Sequence, residues 1–496
     1  AGEGGARAME VDRQRGRALV ARAAVPRRVM PPVVSARSRV VHSHMYAQLC
    51  YDIRYALNLG PIGGLLLESH ELLEELMRVV ALLEAMHPMA RATLSHVEQE
   101  DTAWGDAFAL ATEVTHLFPF VVGGIAVPSS SSDLDAPSSS PAPSSSPSQP
   151  ASAQRQRERY ARLARAVGVA LVRWLHASGA IGASRGKESS SRKESSARAE
   201  PPSLASWRAM RLRAAKGVKT AVSYHLPMHR LLATVATHGA TVLDLPAGML
   251  LPADQGVLCD LADDEAELLE AIAELPTRLQ LACAQKRAHL WVRNGYSALK
   301  QAALYRTSLF SDVGLAPDLG VLQLCLSRLG MGRFLRGLLA RWSLPDMRGE
   351  GGEGAEERSE IDPATGEVLL EELLSTLVLL LRERTHSGAS AESIAERTLA
   401  HRLAAAGAAT HSELVNAVPR RVVEHACFDE VLARLASHTP PRGLLQGSYL
   451  LRTETWLLFD PLGYAHYART DHHRAVERWQ RDARAPGDPS ALPAAP

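Results

Sequence analysis

The sequence has few aromatic residues. Phe, Trp and Tyr make up 5% of the 496 residues, whereas hydrophobic residues together make up 46%. The core must therefore be built mainly from Leu, Ala and Val. Because Leu and Ala are strong helix formers, this composition favours an α-rich protein. The length of 496 residues predicts two to four domains.

The sequence also lacks closely spaced cysteines. No two of its five cysteines lie within four residues of each other, so it has no CxxC pair and no zinc-finger spacing. The five are Cys50, Cys259, Cys283, Cys325 and Cys427. Well-separated cysteines in a long chain are typical of reduced thiols in the core of an intracellular protein. We therefore expect no metal ion and no other cofactor in this chain.

Neither sign of charge is in excess, and no long apolar run is present. Lys and Arg total 55 against 54 Asp and Glu, whereas a nucleic-acid-binding protein usually has a basic excess or a basic face. The best candidate for a membrane span, residues 107–127, contains Glu113, His116 and Pro119. A spanning helix needs about 20 mostly apolar residues. The sequence thus predicts a soluble protein of the cytoplasm or the nucleus.

Three low-complexity inserts interrupt the chain. Residues 128–153 are rich in Ser and Pro, residues 184–203 are polar, and residues 348–362 are rich in Gly and Glu. Such segments bury too little apolar surface to offset chain entropy, so we expect them to be disordered. Residues 1–40 are basic and are predicted to be disordered as well, with an organelle transit peptide as the alternative.

The segments between the inserts have helical periodicity. In the first segment, apolar residues such as Leu65, Leu72 and Leu76 recur at spacings of three and four. The run from Val368 to Leu381 is apolar nearly all round, which predicts a helix buried on every side. We expect helix from Trp207 to His238 and from Asp260 to Trp342. The predicted helical scaffold comprises residues 41–127, 154–183, 204–347 and 363–389.

Residues 390–460 have a different pattern. One helix is predicted from Ser390 to Ala406, and a second begins at the capping-box sequence Thr410-His411-Ser412-Glu413 and ends near Pro419. A third is predicted from His425 to His438. Two β-like runs, 447–452 and 455–459, flank a Thr453-Glu454 turn.

Three helices followed by a hairpin is the order of a winged helix. The predicted fold class is therefore mainly α, a multi-helix scaffold followed by a small α+β winged-helix domain. Residues 461–496 are predicted to be the start of a helix and a disordered tail.

Two histidines have the spacing of zinc ligands on one helix face. His225 and His229 are four residues apart. However, Pro227 lies between them, the Glu of an H-E-x-x-H site is missing, and no third ligand is identifiable. A structural role is favoured over metal binding.

The other candidate sites also favour structural interpretations. The pairs His42 with His44 and His472 with His473 are typical of solvated histidines. In Trp291-Val292-Arg293-Asn294-Gly295, Asn-Gly indicates a turn or a helix end, with a partner-binding elbow as the alternative. Residues 60–64, Gly-Pro-Ile-Gly-Gly, are predicted to form a loop. We assign no catalytic, cofactor-binding or metal-ligating residue.

A winged helix raises the possibility of DNA binding. The predicted third helix carries Asp429, Glu430 and a single Arg434, too few cations to neutralise several phosphates. Arg420, Arg421, Arg442 and Arg452 would form a modest basic rim that suits an acidic protein partner equally well. Contact with protein is favoured, with a winged-helix nucleic-acid-binding protein or a helical adaptor as alternatives.

Five stretches in sequence order resemble the UBR family of E3 ubiquitin ligases. They are 44–57 with Met86-His87-Pro88 and 96–108, Tyr224-His225-Leu226-Pro227-Met228-His229-Arg230, 285–305 with Trp291-Val292-Arg293-Asn294-Gly295, 318–329, and the winged-helix block with His401-Arg402-Leu403 and Gly447-Ser448-Tyr449-Leu450-Leu451-Arg452. The Ser/Pro-rich inserts and the Ala/Arg-rich composition would suit a plant or green-algal relative.

The resemblance implies a RING-type ubiquitin transferase of the N-degron pathway. Members of the family carry a zinc-bound UBR box, which reads destabilising N-terminal residues, and a zinc-bound RING, which recruits the E2 enzyme. This chain has the cysteine spacing of neither. It is therefore expected to be a scaffold segment without catalytic activity of its own, with the zinc, the E2 enzyme and the N-degron substrates bound by other parts of the parent protein. Membrane and nucleic-acid partners are not expected.

Overall fold

The structure is a computed structural model. It describes residues 45–85, 89–92, 104–126, 149–178, 219–243, 265–290, 296–306, 308–342, 363–418, 423, 426–443, 446–465 and 469–482. The predicted disorder of residues 1–40, 128–148, 184–203 and 348–362 lies outside these residues. The chain divides into two compact units, residues 1–301 with 321–371 and residues 302–320 with 372–496.

The predicted fold class is confirmed, because helices dominate and the largest sheet has three strands. None of the described helices is long and apolar enough to cross a membrane. In chain order the helices up to residue 382 are α1 Met45–Asn58, α2 Gly60–Glu68, α3 His70–Leu82, α4 Trp104–Thr115, α5 Phe118–Gly123, α6 Gln149–Ala177, α7 Pro227–Val242, α8 Glu265–Arg287, α9 Tyr296–Tyr305, α10 Ser308–Ser311, α11 Leu315–Leu329, α12 Met331–Trp342 and α13 Pro363–Arg382.

The prediction of a loop at residues 60–64 is wrong, because α2 begins at Gly60. Pro61 lies in the first turn, where a missing N–H costs no helical hydrogen bond. Gly63 packs against Gly124, whose added Cβ would lie 2.5 Å from the Gly63 carbonyl. These glycines therefore allow two backbones to approach closely inside a helical unit.

A two-stranded antiparallel sheet joins distant parts of the first unit. Strand β1, Met89–Ala92, pairs with β2, Lys219–Val222, in the register Met89↔Val222 to Ala92↔Lys219. The prediction of helix from Trp207 to His238 is therefore wrong at 219–222, and α7 begins only at Pro227. The pairing depends on a strand more than 100 residues away, which local periodicity cannot show.

One predicted linker is shorter than expected. Helix α6 begins at Gln149, so residues 149–153 are helical, although the sequence assigns them to the Ser/Pro-rich insert. Pro150 is compatible with this start because proline is tolerated in the first turn of a helix.

The composition of α13 predicts a helix that is buried on every side. This prediction is wrong. Leu369, Leu373 and Leu380 are buried, but Leu374 and Leu381 are each 53% exposed. The polar residues Glu372 and Thr376 are buried in their place. One apolar face of this helix is therefore in contact with the described protein and another is open.

The second unit contains the winged-helix module, residues 390–482. Its described helices are α14 Ala391–Ala406, α15 His411–Ala417, α16 Phe428–Leu435 and α17 Arg469–Asp482. Its antiparallel sheet has three strands in the order β3-β5-β4, which are β3 Ala408–Ala409, β4 Ala436–Thr439 and β5 Ser448–Leu451. The first two helix starts are confirmed. Ser390 caps α14 by accepting from Ser393 N, and Thr410 with Glu413 forms the capping box of α15.

One of the two predicted strands of this module is confirmed, because the run 447–452 contains β5, Ser448–Leu451, whereas the run 455–459 is not a strand. Residues 436–439 form a strand, although the sequence assigns them to the third helix, and Thr453–Leu458 is a 3-10 helix. Strand β4 exposes Ser437, His438 and Thr439, so no apolar alternation marks it. Trp456 and Phe459, three residues apart, are both buried in the core of the module, which is a helical spacing.

The module also extends beyond the predicted boundary at residue 460. Ala475 of α17 is fully buried in the same core as Leu399, Leu403 and Phe428. The final helix therefore completes the winged-helix core.

Candidate functional site

The Tyr224–Arg230 segment surrounds a buried carboxylate. Glu84, which follows α3, accepts a hydrogen bond from Met228 N at 2.6 Å through Oε2, and its Oε1 lies 2.6 Å from His229 Nδ1. Both side chains are fully buried. Because Met228 lies in the first turn of α7, the carboxylate also neutralises the positive end of that helix.

The rest of this segment is held by backbone contacts. Ala85 N donates to His225 O at 2.7 Å, and the Arg230 guanidinium donates to Tyr224 O at 2.9 Å. The His225 ring lies edge-on to Phe108, with centroids 6.4 Å apart. Among the described residues no group of three or more His, Cys, Asp or Glu side chains is placed to hold a metal ion. The geometry of His225 and His229 is therefore that of a packed helix start.

The other candidate residues are only partly described. His472 Nε2 lies 2.6 Å from Pro461 O, and His473 Nε2 lies 3.2 Å from a carboxylate oxygen of Glu477. Each member of this pair therefore has a partner within the module. His42, His44, residues 291–295, Arg420 and Arg421 lie outside the described residues.

The third helix of the module, α16, presents an acidic surface. Asp429 and Glu430 are exposed, and Arg434 forms ion pairs with Glu392, at 2.8 Å, and with Glu396. A DNA phosphate would have to displace these carboxylates and approach the exposed acids of the same helix. The described charges on α16 therefore favour a protein partner over DNA.

Sequence reasoning missed a ring cluster beside α16. His438 and Tyr449 face each other across β4 and β5 with ring centroids 4.8 Å apart, and His411 lies 6.3 Å from Tyr449. His411 Nε2 is also 3.4 Å from Asp429 Oδ1. The strand register brings His438 beside Tyr449, and no local motif indicates this pairing.

The module also exposes several leucines to solvent. Four of them fall within a short segment of the module, and Leu457 is 85% exposed. The others are Leu450, Leu458 and Leu462.

Two family models match the chain. One, described as a UBR1/2/3-like ARM repeat domain, matches residues 180–375, and the other, an E3 ubiquitin-protein ligase UBR1-like winged-helix domain, matches residues 394–493.

Curated relatives agree with these models. PRT6 of Arabidopsis thaliana, an E3 ubiquitin-protein ligase, is 29% identical over 277 residues, which is 53% of this chain and 13% of the relative. Human UBR3 is 26% identical over 287 residues, 54% of this chain and 14% of the relative. Human UBR2 is 28% identical over 282 residues, 55% of this chain and 15% of the relative. The aligned part is thus a small fraction of each relative's length.

The class of this chain is defined by a helical-repeat region followed by a winged helix, each matched by a model of the same family. The chain belongs to the UBR family of E3 ubiquitin-protein ligases, as the sequence motifs predicted.

Proposed function

We propose that this chain is the scaffold segment of a RING-type E3 ubiquitin ligase of the N-degron pathway. It spaces the part of the parent protein that reads a destabilising N-terminal residue from the part that recruits the ubiquitin-charged E2 enzyme. Catalysis by such a ligase consists largely of holding the E2 thioester and the substrate lysine near each other, which raises their effective concentration. The chain itself supplies no catalytic group in this proposal.

One observation carries the proposal. The ARM-repeat match and the winged-helix match lie in order on a single chain. The fully buried side chains of Glu84 and His229 join the end of α3 to the start of α7. This is what a spacer between two functional ends requires.

The partners follow from the same proposal. Other parts of the parent protein bind the E2 enzyme, the N-degron substrate and the zinc ions. The parent protein acts in the cytoplasm or the nucleus. The acidic α16 and the exposed leucines at 450–462 favour contact with protein surfaces.

The test replaces residues 180–482 of the parent protein with a flexible Gly/Ser linker. Two rates are measured, ubiquitin transfer to a substrate with a destabilising N-terminal residue and discharge of the charged E2 enzyme to free lysine. We expect the rate of transfer to the substrate to fall by at least about tenfold, because the substrate is no longer held near the E2 thioester. The rate of discharge to free lysine should remain, since it does not depend on that proximity. Equal transfer by both proteins would refute the scaffold role.

A further inference from the structure

The winged-helix module is joined to α13 by a short connection that ends in an arginine contact. Residues 383–390 link Arg382, the last residue of α13, to Ala391 of α14. Arg397 on α14 donates through Nη1 to Arg382 O and through Nη2 to Gly463 O. Arg382 O is one of the carbonyls that a helix end leaves without an intrahelical partner, so a cation there is favourable.

A second arginine makes the reciprocal contact. The Arg382 side chain donates to Asp460 Oδ2 at 2.6 Å, and the other carboxylate oxygen accepts from Leu462 N and Gly463 N at 3.2 and 3.0 Å. A Cβ on Gly463 would lie 2.9 Å from Arg382 Cδ. The end of α13 and the turn at 460–463 are therefore tied in both directions.

Buried groups fix the position of this joint. Glu383, 4% exposed, lies 3.8 Å from the Arg397 guanidinium through Oε2, while its Oε1 accepts from Arg384 N, Thr385 N and Thr385 Oγ1.

One turn beyond Arg397 on α14, His401 stacks on Tyr464 at 4.2 Å and accepts from Asp460 N. Arg397 thus lies between the end of α13 and the turn at 460–463, and each of these segments also has contacts that do not involve Arg397.

We propose that Arg397 is a positioning residue that fixes the orientation of the winged-helix module relative to residues 372–382 of α13, within the same compact unit. A planar guanidinium can serve two carbonyls and a carboxylate at once, whereas a lysine ammonium is a point charge that cannot span them. The proposal deepens the scaffold role, because a spacer can set a distance only if its joints are stiff.

The test measures the width of a distance distribution by electron spin resonance between spin labels on the whole chain. Leu374→Cys on α13 and Leu457→Cys on the module carry the labels, since both side chains are exposed, and Cys259 and Cys427 are replaced by Ser. We expect a narrow distribution with Arg397 and one broadened about twofold or more in Arg397→Met. Arg397→Lys should restore it only in part.

Arg434→Met is the matched control, because Arg434 pairs with Glu392 and Glu396 inside the module. It should leave the distribution narrow. If Arg397→Met prevents folding, Arg382→Met provides the second variant, since its side chain is 61% exposed, and it should also broaden the distribution.

An unchanged width in both Arg397→Met and Arg382→Met, or equal broadening in Arg434→Met, would overturn the proposal. No E2 enzyme or substrate is present, so this result is independent of the ligase function.

Discussion

At the residue scale, the buried pair of Glu84 and His229 is expected to contribute to the stability of the fold. Its carboxylate satisfies both Met228 N and His229 Nδ1, and removal of one partner from a buried polar pair leaves the other desolvated and unpaired. The pair gives His229 a partner at the start of α7, which is the kind of structural role that the sequence favours for the His225 and His229 spacing.

Glu84→Ala should therefore lower the free energy of unfolding by about 3 kcal/mol. Glu75→Ala, on α3, should change it by less than about 0.5 kcal/mol, because Glu75 is 64% exposed in its pair with Arg78. Urea denaturation of both variants measures the difference. Equal losses would contradict a structural role specific to Glu84.

A second residue predicts a pH dependence. Burial lowers the pKa of His238, on α7, from 6.5 to about 4. His238 therefore binds a proton near pH 6.5 in the unfolded chain but only near pH 4 in the folded chain. The stability that depends on a neutral His238 is thus complete above pH 6.5 and is lost as the pH falls towards 4.

His238→Leu should lack this part of the pH dependence. The measurement is the free energy of unfolding of both proteins at several values between pH 7 and pH 4. As the pH falls, the free energy of unfolding of the unmodified protein should decrease relative to that of His238→Leu. A constant difference across this range would show that His238 does not titrate as described.

At the element scale, the contact between α2 and the end of α5 depends on glycine. A Cβ on Gly124 would lie 2.5 Å from Gly63 C, whereas a Cβ on the adjacent Gly123 meets nothing within 4 Å. Gly124→Ala should destabilise the protein by about 1–3 kcal/mol. Gly123→Ala should be neutral or slightly stabilising, since it reduces the entropy of the unfolded chain. Thermal unfolding of the two variants decides, and similar melting temperatures would contradict the close packing.

The same elements show how far sequence reasoning reaches. Helices with strong caps, such as α14 after Ser390 and α15 after Thr410, were predicted to within a residue because the capping signal is local. The start of α2 was missed because glycines that allow close packing have the same composition as a loop. Strands β1, β2 and β4 were missed because their partners are distant in sequence or their exposed residues are polar.

The candidate site was predictable only in outline. The acidic residues of the third helix are visible in the sequence, but the ion pairs of Arg434 with Glu392 and Glu396 require the packing of α16 on α14. The contact between His438 and Tyr449 depends on the strand register. The joint at Arg397 depends on residues 15 and 66 positions away, so no motif marks it.

At the scale of the whole molecule, the proposed function is one of positioning. The two matched regions lie on one chain that covers 13% of its relative PRT6, and the described buried polar groups hold helices together. In the proposed function, the chain acts through the distances that it maintains, so stiffness at its joints and tolerance at its inserts are the properties that matter.

An insertion of about ten Gly/Ser residues tests this claim most directly. In the parent protein it is placed either after Ser387, in the connection between α13 and α14, or within residues 130–145, in the predicted Ser/Pro linker. The measurement is ubiquitin transfer to an N-degron substrate relative to discharge to free lysine. We expect the first insertion to lower this ratio several-fold and the second to leave it unchanged. Equal ratios for both insertions and the unmodified protein would contradict the claim that the chain works by holding its ends in position.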